Sequence, residues 1–279
     1  MLKYFDHLTL AVNEVDAAVA AYARLLGSPP TWRGDHPELG TRAALFGLAN
    51  GLIEIVGPVA GAPEAEGMQT WLAAHGEGMQ ALAFGTDDAD ACTSAFRERG
   101  LRATAAQDGE ARSSDGATRS YRTVELSTRS TRGLAVLAVE RADRGRLLAS
   151  SASDPSCAEA LDHVVIRSAD LDAALASYGT GLGLRLALDC VVRDIRMLFF
   201  RIGGVTIEIV HDPNQTAQDA FGGAAYRVRD IAAAHARLLA AGMAVSEPRA
   251  GAKPGTQVFT VRDGTCGVPT LIVRDPSRD

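Results

Sequence analysis

Residues 5–27 read FDHLTLAVNEVDAAVAAYARLLG, and residues 161–183 read LDHVVIRSADLDAALASYGTGLG. The two segments align without a gap at an offset of 156, which sets His7 on His163, Asp16 on Asp172, Tyr22 on Tyr178 and Gly27 on Gly183. A second echo follows each, GLIEIV at 51–56 and VTIEIV at 205–210. A chain that repeats in this way builds one plan twice, and here each copy carries a His on an early strand and a Glu on a later one.

Periodicity shows what the plan is. YFDHLTLAV at 4–12 alternates as a strand. Asn13 is placed to cap a helix, with Asp16 at its third position. Val15, Ala18, Val19, Tyr22, Leu25 and Leu26 recur at helical spacing, and Gly27 ends the helix. Strands are expected near Thr31–Gly34, Arg42–Leu48 and Leu52–Val56, closed by Gly57 and Pro58. The same order returns from residue 79, from 161 and from 222. The fold class is therefore α+β, four βαβββ modules in two homologous halves that form cupped mixed β-sheets. Residues 142–158 are small, polar and Ser-rich, which predicts a linker. The expected halves are residues 1–141 and 159–279.

With 279 residues, 47% of them apolar and 22% charged, the chain is long enough to bury a sizeable core. A net charge of −6 without a basic run argues against a nucleic-acid partner. The four cysteines are too scattered for a thiolate zinc site. No stretch reaches membrane-spanning length, and Asp6 and His7 interrupt the apolar run that a signal peptide needs. The expectation is a cytoplasmic protein, monomer or homodimer, with a small-molecule substrate or ligand.

DHLTLAV followed by an amphipathic helix and a closing IEIV strand resembles the vicinal oxygen chelate superfamily, whose members include glyoxalase I, methylmalonyl-CoA epimerase, extradiol dioxygenases and bleomycin resistance proteins. HPELGTRAALFGLANGLIEIVGP at 36–58 resembles its glyoxalase-like subgroup. The resemblance implies that modules pair into cups. It also implies that a divalent metal (zinc, nickel, manganese or iron) is held by residues from the first and last strands of each module. His7, Glu54, His163 and Glu208 match those positions.

Alternation puts His7 and Glu54 on the helix-free faces of their strands, and His163 and Glu208 likewise. A carboxylate among Leu, Val and Ile needs a cation, a metal or a donor. In the second and fourth modules the matching positions hold Ala81 and Leu137, and Gly223 and Leu271, none of which ligates a metal. If modules pair one with two and three with four, each cup has two protein ligands. If one faces three, all four ligands converge. A third reading is that each His–Glu couple is a hydrogen-bonded pair without metal.

Trp32, His36, Arg42, Tyr121, Arg196 and Phe200 are candidate lining residues for the cups, with Glu54 and Glu208 as proton-transfer groups. Two functions are expected from this pattern. One is a metal-dependent lyase or isomerase acting on a small oxygenated metabolite. The other is a metal-free protein that sequesters an aromatic or drug-like ligand in an apolar cup, as resistance proteins of the superfamily do.

Overall fold

The computed structural model describes residues 1–148, 154–215 and 218–278. The first half begins with β1 (Tyr4–Ala11), α1 (Val15–Leu26), β2 (Trp32–His36), β3 (Thr41–Gly47) and β4 (Leu52–Pro58). A connecting helix α2 (Glu66–His75) leads to β5 (Gly78–Gly85), α3 (Ala89–Glu98), β6 (Gln107–Ser113), β7 (Thr118–Leu126) and β8 (Ala135–Glu140). Helix α1 ends as its sequence demands. Gly27 takes the left-handed conformation at φ 79° and its N–H closes on the Ala23 carbonyl.

The eight strands close into a barrel of order β1-β4-β3-β2-β6-β7-β8-β5. Modules one and two therefore share one barrel. β1 pairs antiparallel with β5, and Gly34 and Asp35 of β2 pair with Ser113 and Arg112 of β6 to complete the ring. Outward residues such as Leu8, Leu10, Ile53, Ile55, Leu82 and Phe84 pack under α1 and α3. Inward residues face a lumen.

A short helix α4 (Arg144–Leu147) follows β8 and fills one mouth of this barrel. Leu147 packs with Leu45, Leu52 and Trp32, and the Thr31 hydroxyl donates to the Leu147 carbonyl at 2.8 Å. Residues 142–148 thus belong physically to the first half. The centre of the expected linker, 149–153, lies outside the described residues.

The second half runs β9 (Ala160–Ser168), α5 (Leu171–Ala174), β10 (Arg185–Val192), β11 (Ile195–Ile202), β12 (Val205–His211), β13 (Ala220–Arg227), α6 (Ile231–Ala240), β14 (Arg249–Ala250), β15 (Gln257–Val261) and β16 (Thr270–Arg274). Helix α5 continues as a π-helical stretch to Gly181. The sheet order is β10-β11-β12-β9-β13-β16-β15-β14, with β10 and β14 as its outer strands. Where the first half closes through β2 and β6, the second stays open.

The helix layers of both halves merge into one core, which fixes the halves against each other. Asn50 clamps Leu161 through both its amide groups, at 2.8 and 3.0 Å. The Tyr22 hydroxyl reaches the Thr265 carbonyl, and Arg132 pairs with fully buried Asp219. No helix among the described residues is long and apolar enough to cross a membrane.

Candidate functional site in the first barrel

The lumen of the first barrel concentrates titratable side chains. On β1 the pairing with β5 slips between Phe5 and His7, so Asp6 sits in a bulge and both Asp6 and His7 are buried. His7 and Thr9 then face inward. Thr9 lies opposite Glu54 on parallel strand β4, and its hydroxyl donates to Glu54 Oε2 at 3.0 Å. His7 Nε2 stands 3.4 Å from the same oxygen. From β2, His36 Nε2 stands 3.7 Å from Glu54 Oε1. Two imidazoles therefore flank one carboxylate.

Each imidazole is backed by a second group. His7 Nδ1 lies 2.6 Å from Asp6 Oδ1. Burial opposes the charge on Asp6, but Arg141, His7 and Arg144 prevail and hold its carboxyl below the ordinary range. An ionised carboxylate only accepts, so His7 Nδ1 is the donor and Nε2 is turned toward Glu54. His36 Nδ1 lies 3.0 Å from the Tyr121 hydroxyl on β7. Burial, helped by the Glu54 charge, pushes the Tyr121 phenol up to about 12, so it keeps its proton near neutrality. Burial also opposes ionisation of Glu54. The charges of His7, His36 and Arg141 outweigh that and hold Glu54 well below the carboxylate range.

The floor of the lumen is apolar and comes from Trp32, Leu45, Leu52 and Leu147. Arg119 stacks over Trp32 at 4.6 Å and binds Asp143, which precedes α4. Arg144 covers Tyr4 at 4.1 Å and donates to the Phe5 and Asn50 carbonyls. These contacts fasten the plug.

In the second half, His163 and Glu208 occupy the matching strands, and the surroundings differ. Val165 faces Glu208 across β9 and β12 where Thr9 faces Glu54. Val192 ends its hairpin strand opposite Ile195 where His36 lies opposite Thr41. His163 Nδ1 binds Asp162 Oδ2 at 2.9 Å. Burial raises Glu208 and the nearby Asp162 charge adds to it, with only His163 pulling down. Leu188, Met197 and Phe199 lie on the same concave face, and Leu188 is 51% exposed.

Strand register places the remaining family positions. Ala83 pairs with Leu137 as Thr9 pairs with Glu54, so Ala81 and Leu137 stand where the first module has His7 and Glu54. Ala225 pairs with Leu271 in the fourth module, which puts Gly223 and Leu271 in those places. Modules pair one with two and three with four, so His7 and Glu54 lie in one sheet and His163 and Glu208 in another. Among the described residues no three His, Cys, Asp or Glu form a group able to hold a metal ion. The donor set therefore does not fit the four-ligand metal site that the resemblance implies.

Trp32, His36 and Tyr121 face the lumen with Glu54. The other three lining candidates do not. Arg42 lies on the outer face, paired with Asp35 at 3.1 Å. Arg196 binds Asp189 and, on the helix side, Asp172 of α5. Phe200 is fully buried against Tyr178 in the helix–sheet layer. One residue of register decides each case, because alternate side chains on a strand take opposite faces. Asp6, Thr9, Arg119 and Arg141 belong to the site and were not singled out by sequence. Thr9 was legible, since it shares the face of His7. The bulge that turns Asp6 inward was not.

Comparison with known proteins agrees with this architecture. The glyoxalase-like domain family matches residues 5–151, and the glyoxalase/bleomycin resistance protein/dioxygenase superfamily matches residues 160–277. The chain belongs to this superfamily, the vicinal oxygen chelate fold, as two glyoxalase-like halves in tandem. A triple mutant of 4-hydroxymandelate synthase from Streptomyces coelicolor superposes with a TM-score of 0.71 at 17% identity, over 98% of this chain and 92% of that one. A hypothetical protein from Staphylococcus aureus superposes at 0.66 with 9% identity over 99% of both. Streptomyces coelicolor methylmalonyl-CoA epimerase aligns with 51% of this chain and 99% of its own, at 27% identity and a TM-score of 0.43. No curated protein matches the chain in sequence.

Proposed function

We propose that the first barrel is the active site of an isomerase or lyase that moves a proton on a small oxygenated metabolite. The observation that carries this reading is the Glu54 carboxylate between the Nε2 atoms of His7 and His36. Asp6 orients His7 and offsets the imidazolium that forms when Nε2 takes a proton, the role a buried carboxylate plays behind a catalytic histidine. His36, backed by the Tyr121 hydroxyl, returns a proton from the other side. Glu54 stays ionised and compensates positive charge on either ring. The barrel wall excludes water and strengthens each of these interactions.

The test is solvent-deuterium incorporation into a panel of small hydroxy and oxo compounds. Incorporation above the protein-free rate is expected, with a loss of about 10²-fold or more in His7→Gln and Glu54→Gln. Incorporation that survives both substitutions sinks the reading.

A second reading concerns the other half. Its open concave face, with Leu188, Met197 and Phe199 beside Glu208, favours sequestration of an apolar ligand there without chemistry. Fluorescent apolar dyes that bind wild-type protein and not Phe199→Glu support it.

A further inference from the structure

The helix layers of the two halves match side chain by side chain. The ring centroids of Phe46 and Tyr22 lie 6.2 Å apart and those of Phe200 and Tyr178 6.3 Å apart, so helix and sheet meet alike in both halves. Leu45 pairs with Glu54 as Phe199 pairs with Glu208, which sets Ala44 on Leu198. The repeat sets Val15 on Leu171 and Val19 on Leu175. Leu171 and Leu198 are buried, and Leu175 packs against the same core. The first half is therefore one carbon short at each valine and three short at Ala44. It has a cavity of about 220 Å³ there, between the start of α1 and the outer face of β2 and β3.

The floor of this cavity is apolar and nearly closed to solvent, with Val15 8% exposed and Val19 and Ala44 1% each. A space walled in this way favours an apolar group over water. Its rim is charged. Arg33, Asp35 and Arg42 stand on the outer face of the β2–β3 hairpin, and Asp16 on the first turn of α1. In the second half Asp189 pairs with Leu198 as Arg33 pairs with Ala44, and Arg196 is held by both Asp189 and Asp172 at 2.8 Å. The first half has two arginines at its rim, and each is held loosely. Arg33 Nη1 is 3.4 Å from Asp16 Oδ1, and Arg42 Nε is 3.1 Å from Asp35 Oδ1. All four side chains are about half exposed or more, and such surface pairs exchange partners at little cost. Two positive and two negative groups give the rim no net charge, which suits a dipolar ligand better than a simple anion or cation.

We propose that this cavity binds a free aliphatic α-amino acid. Its side chain rests on Val15, Val19 and Ala44, its carboxylate accepts from Arg33 and Arg42, and its ammonium donates to Asp16 and Asp35. The ligand supplies the branched apolar group that Leu198 provides in the second half. A guanidinium matches a carboxylate in a planar, two-bonded geometry. The volume is below the roughly 300–1,000 Å³ of sites for drug-sized ligands, so the occupant is small. Arg33 and Asp35 alternate along β2 with Trp32 and His36, so the cavity lies on the opposite face of that strand from the lumen. The inference is thus independent of the first-barrel reading.

The experiment titrates the full chain with leucine and follows the backbone amide signals. Saturable shifts are expected at Arg33, Asp35, Arg42 and Ala44, with the matching signals of Asp189, Arg196 and Leu198 unmoved. Three probes each lack one part of leucine. 4-Methylpentanoate lacks the ammonium, 3-methylbutylamine lacks the carboxylate, and glycine lacks the side chain. Each should bind weaker by about tenfold or more. Ala44→Leu gives the first half the residue of the second and should remove the shifts. If that variant does not fold, Arg33→Asp, at an exposed position, should remove them instead. A leucine titration without saturable shifts overturns the proposal. So does 4-methylpentanoate or glycine binding as tightly as leucine, and so does leucine binding that the folded variants leave unchanged.

Discussion

Thr9 and Glu54 are register partners on adjacent parallel strands, and the Thr9 hydroxyl donates to Glu54 Oε2 at 3.0 Å. Val165 and Glu208 hold the same register in the second half, without a hydroxyl. The two carboxylates shift in opposite directions, Glu54 down and Glu208 up. One scaffold thus carries the same residue in two environments. The difference traces to neighbouring charge, His7, His36 and Arg141 at Glu54 against His163 and Asp162 at Glu208, with the Thr9 hydroxyl as an added donor to Glu54. Glu54 has Thr9 and two imidazoles, whereas Glu208 has His163 as its one favourable charge and Asp162 as an unfavourable one.

Thr9→Val should therefore raise the Glu54 carboxyl toward its ordinary value, and Val165→Thr should lower Glu208. Carbon-detected titration of the Glu side chains checks both directions. Thr9→Val should also cost about 1–2 kcal/mol of stability in denaturant unfolding, because a buried charge loses a donor. An unchanged Glu54 titration would show that the imidazoles alone hold its charge.

Much of this was present in the sequence. The repeat placed four modules, and alternation put His7 with Glu54 and His163 with Glu208 on helix-free faces. Alignment also gave Ala81, Leu137, Gly223 and Leu271 their places, since the register of β5 with β8 and of β13 with β16 follows the same repeat. His36 was harder. The sequence suggests a strand ending at Gly34, but β2 runs on to His36, which brings that ring over Glu54. Closure of the first half and openness of the second depend on long-range pairing of β2 with β6. Local periodicity carries no information on that contact. Arg141 stood at the edge of the expected linker, where nothing local signals that the chain folds back as a plug.

The plug gives a stability prediction. Leu147 is 4% exposed and packs on Leu45, Leu52 and Trp32. Leu147→Ala should cost about 2–4 kcal/mol, through lost burial and the cavity left behind. Urea unfolding measures this. A loss below about 0.5 kcal/mol would mean that α4 detaches at little cost.

Asp162 and His163 supply a pH dependence. Burial opposes the charge on each, and their mutual interaction prevails on each. Asp162 is lowered from 3.8, helped by Arg278 and Arg227, and His163 is raised from 6.5, helped by Glu208. The share of stability from His163 is full below 6.5 and is lost as pH rises through its raised value. The share from Asp162 is full above 3.8 and is lost as pH falls through its lowered value. The pair is therefore strongest between those limits. His163→Gln should destabilise more at about pH 5.5 than at about pH 8.5. Thermal melts of both chains at the two pH values check the sign, and an equal penalty at both would leave the pair without a role in stability.

The separation of the two His–Glu couples yields the last prediction. His7 and Glu54 lie in the closed barrel, and His163 and Glu208 lie in the open sheet. Were the four residues to share one metal, His7→Ala and Glu208→Ala would each abolish the same site, and the double substitution would cost little more than either alone. In this structure the substitutions disturb different networks, Asp6–His7–Glu54 in one half and Asp162–His163–Glu208 in the other. Their stability effects should therefore add to within about 0.5 kcal/mol. The same geometry predicts that zinc, nickel, manganese or iron, added after chelation, stabilises wild type no more than the double variant. A melting temperature that rises with one metal in wild type, and in neither single variant, would show that the halves rearrange to bring the four ligands together.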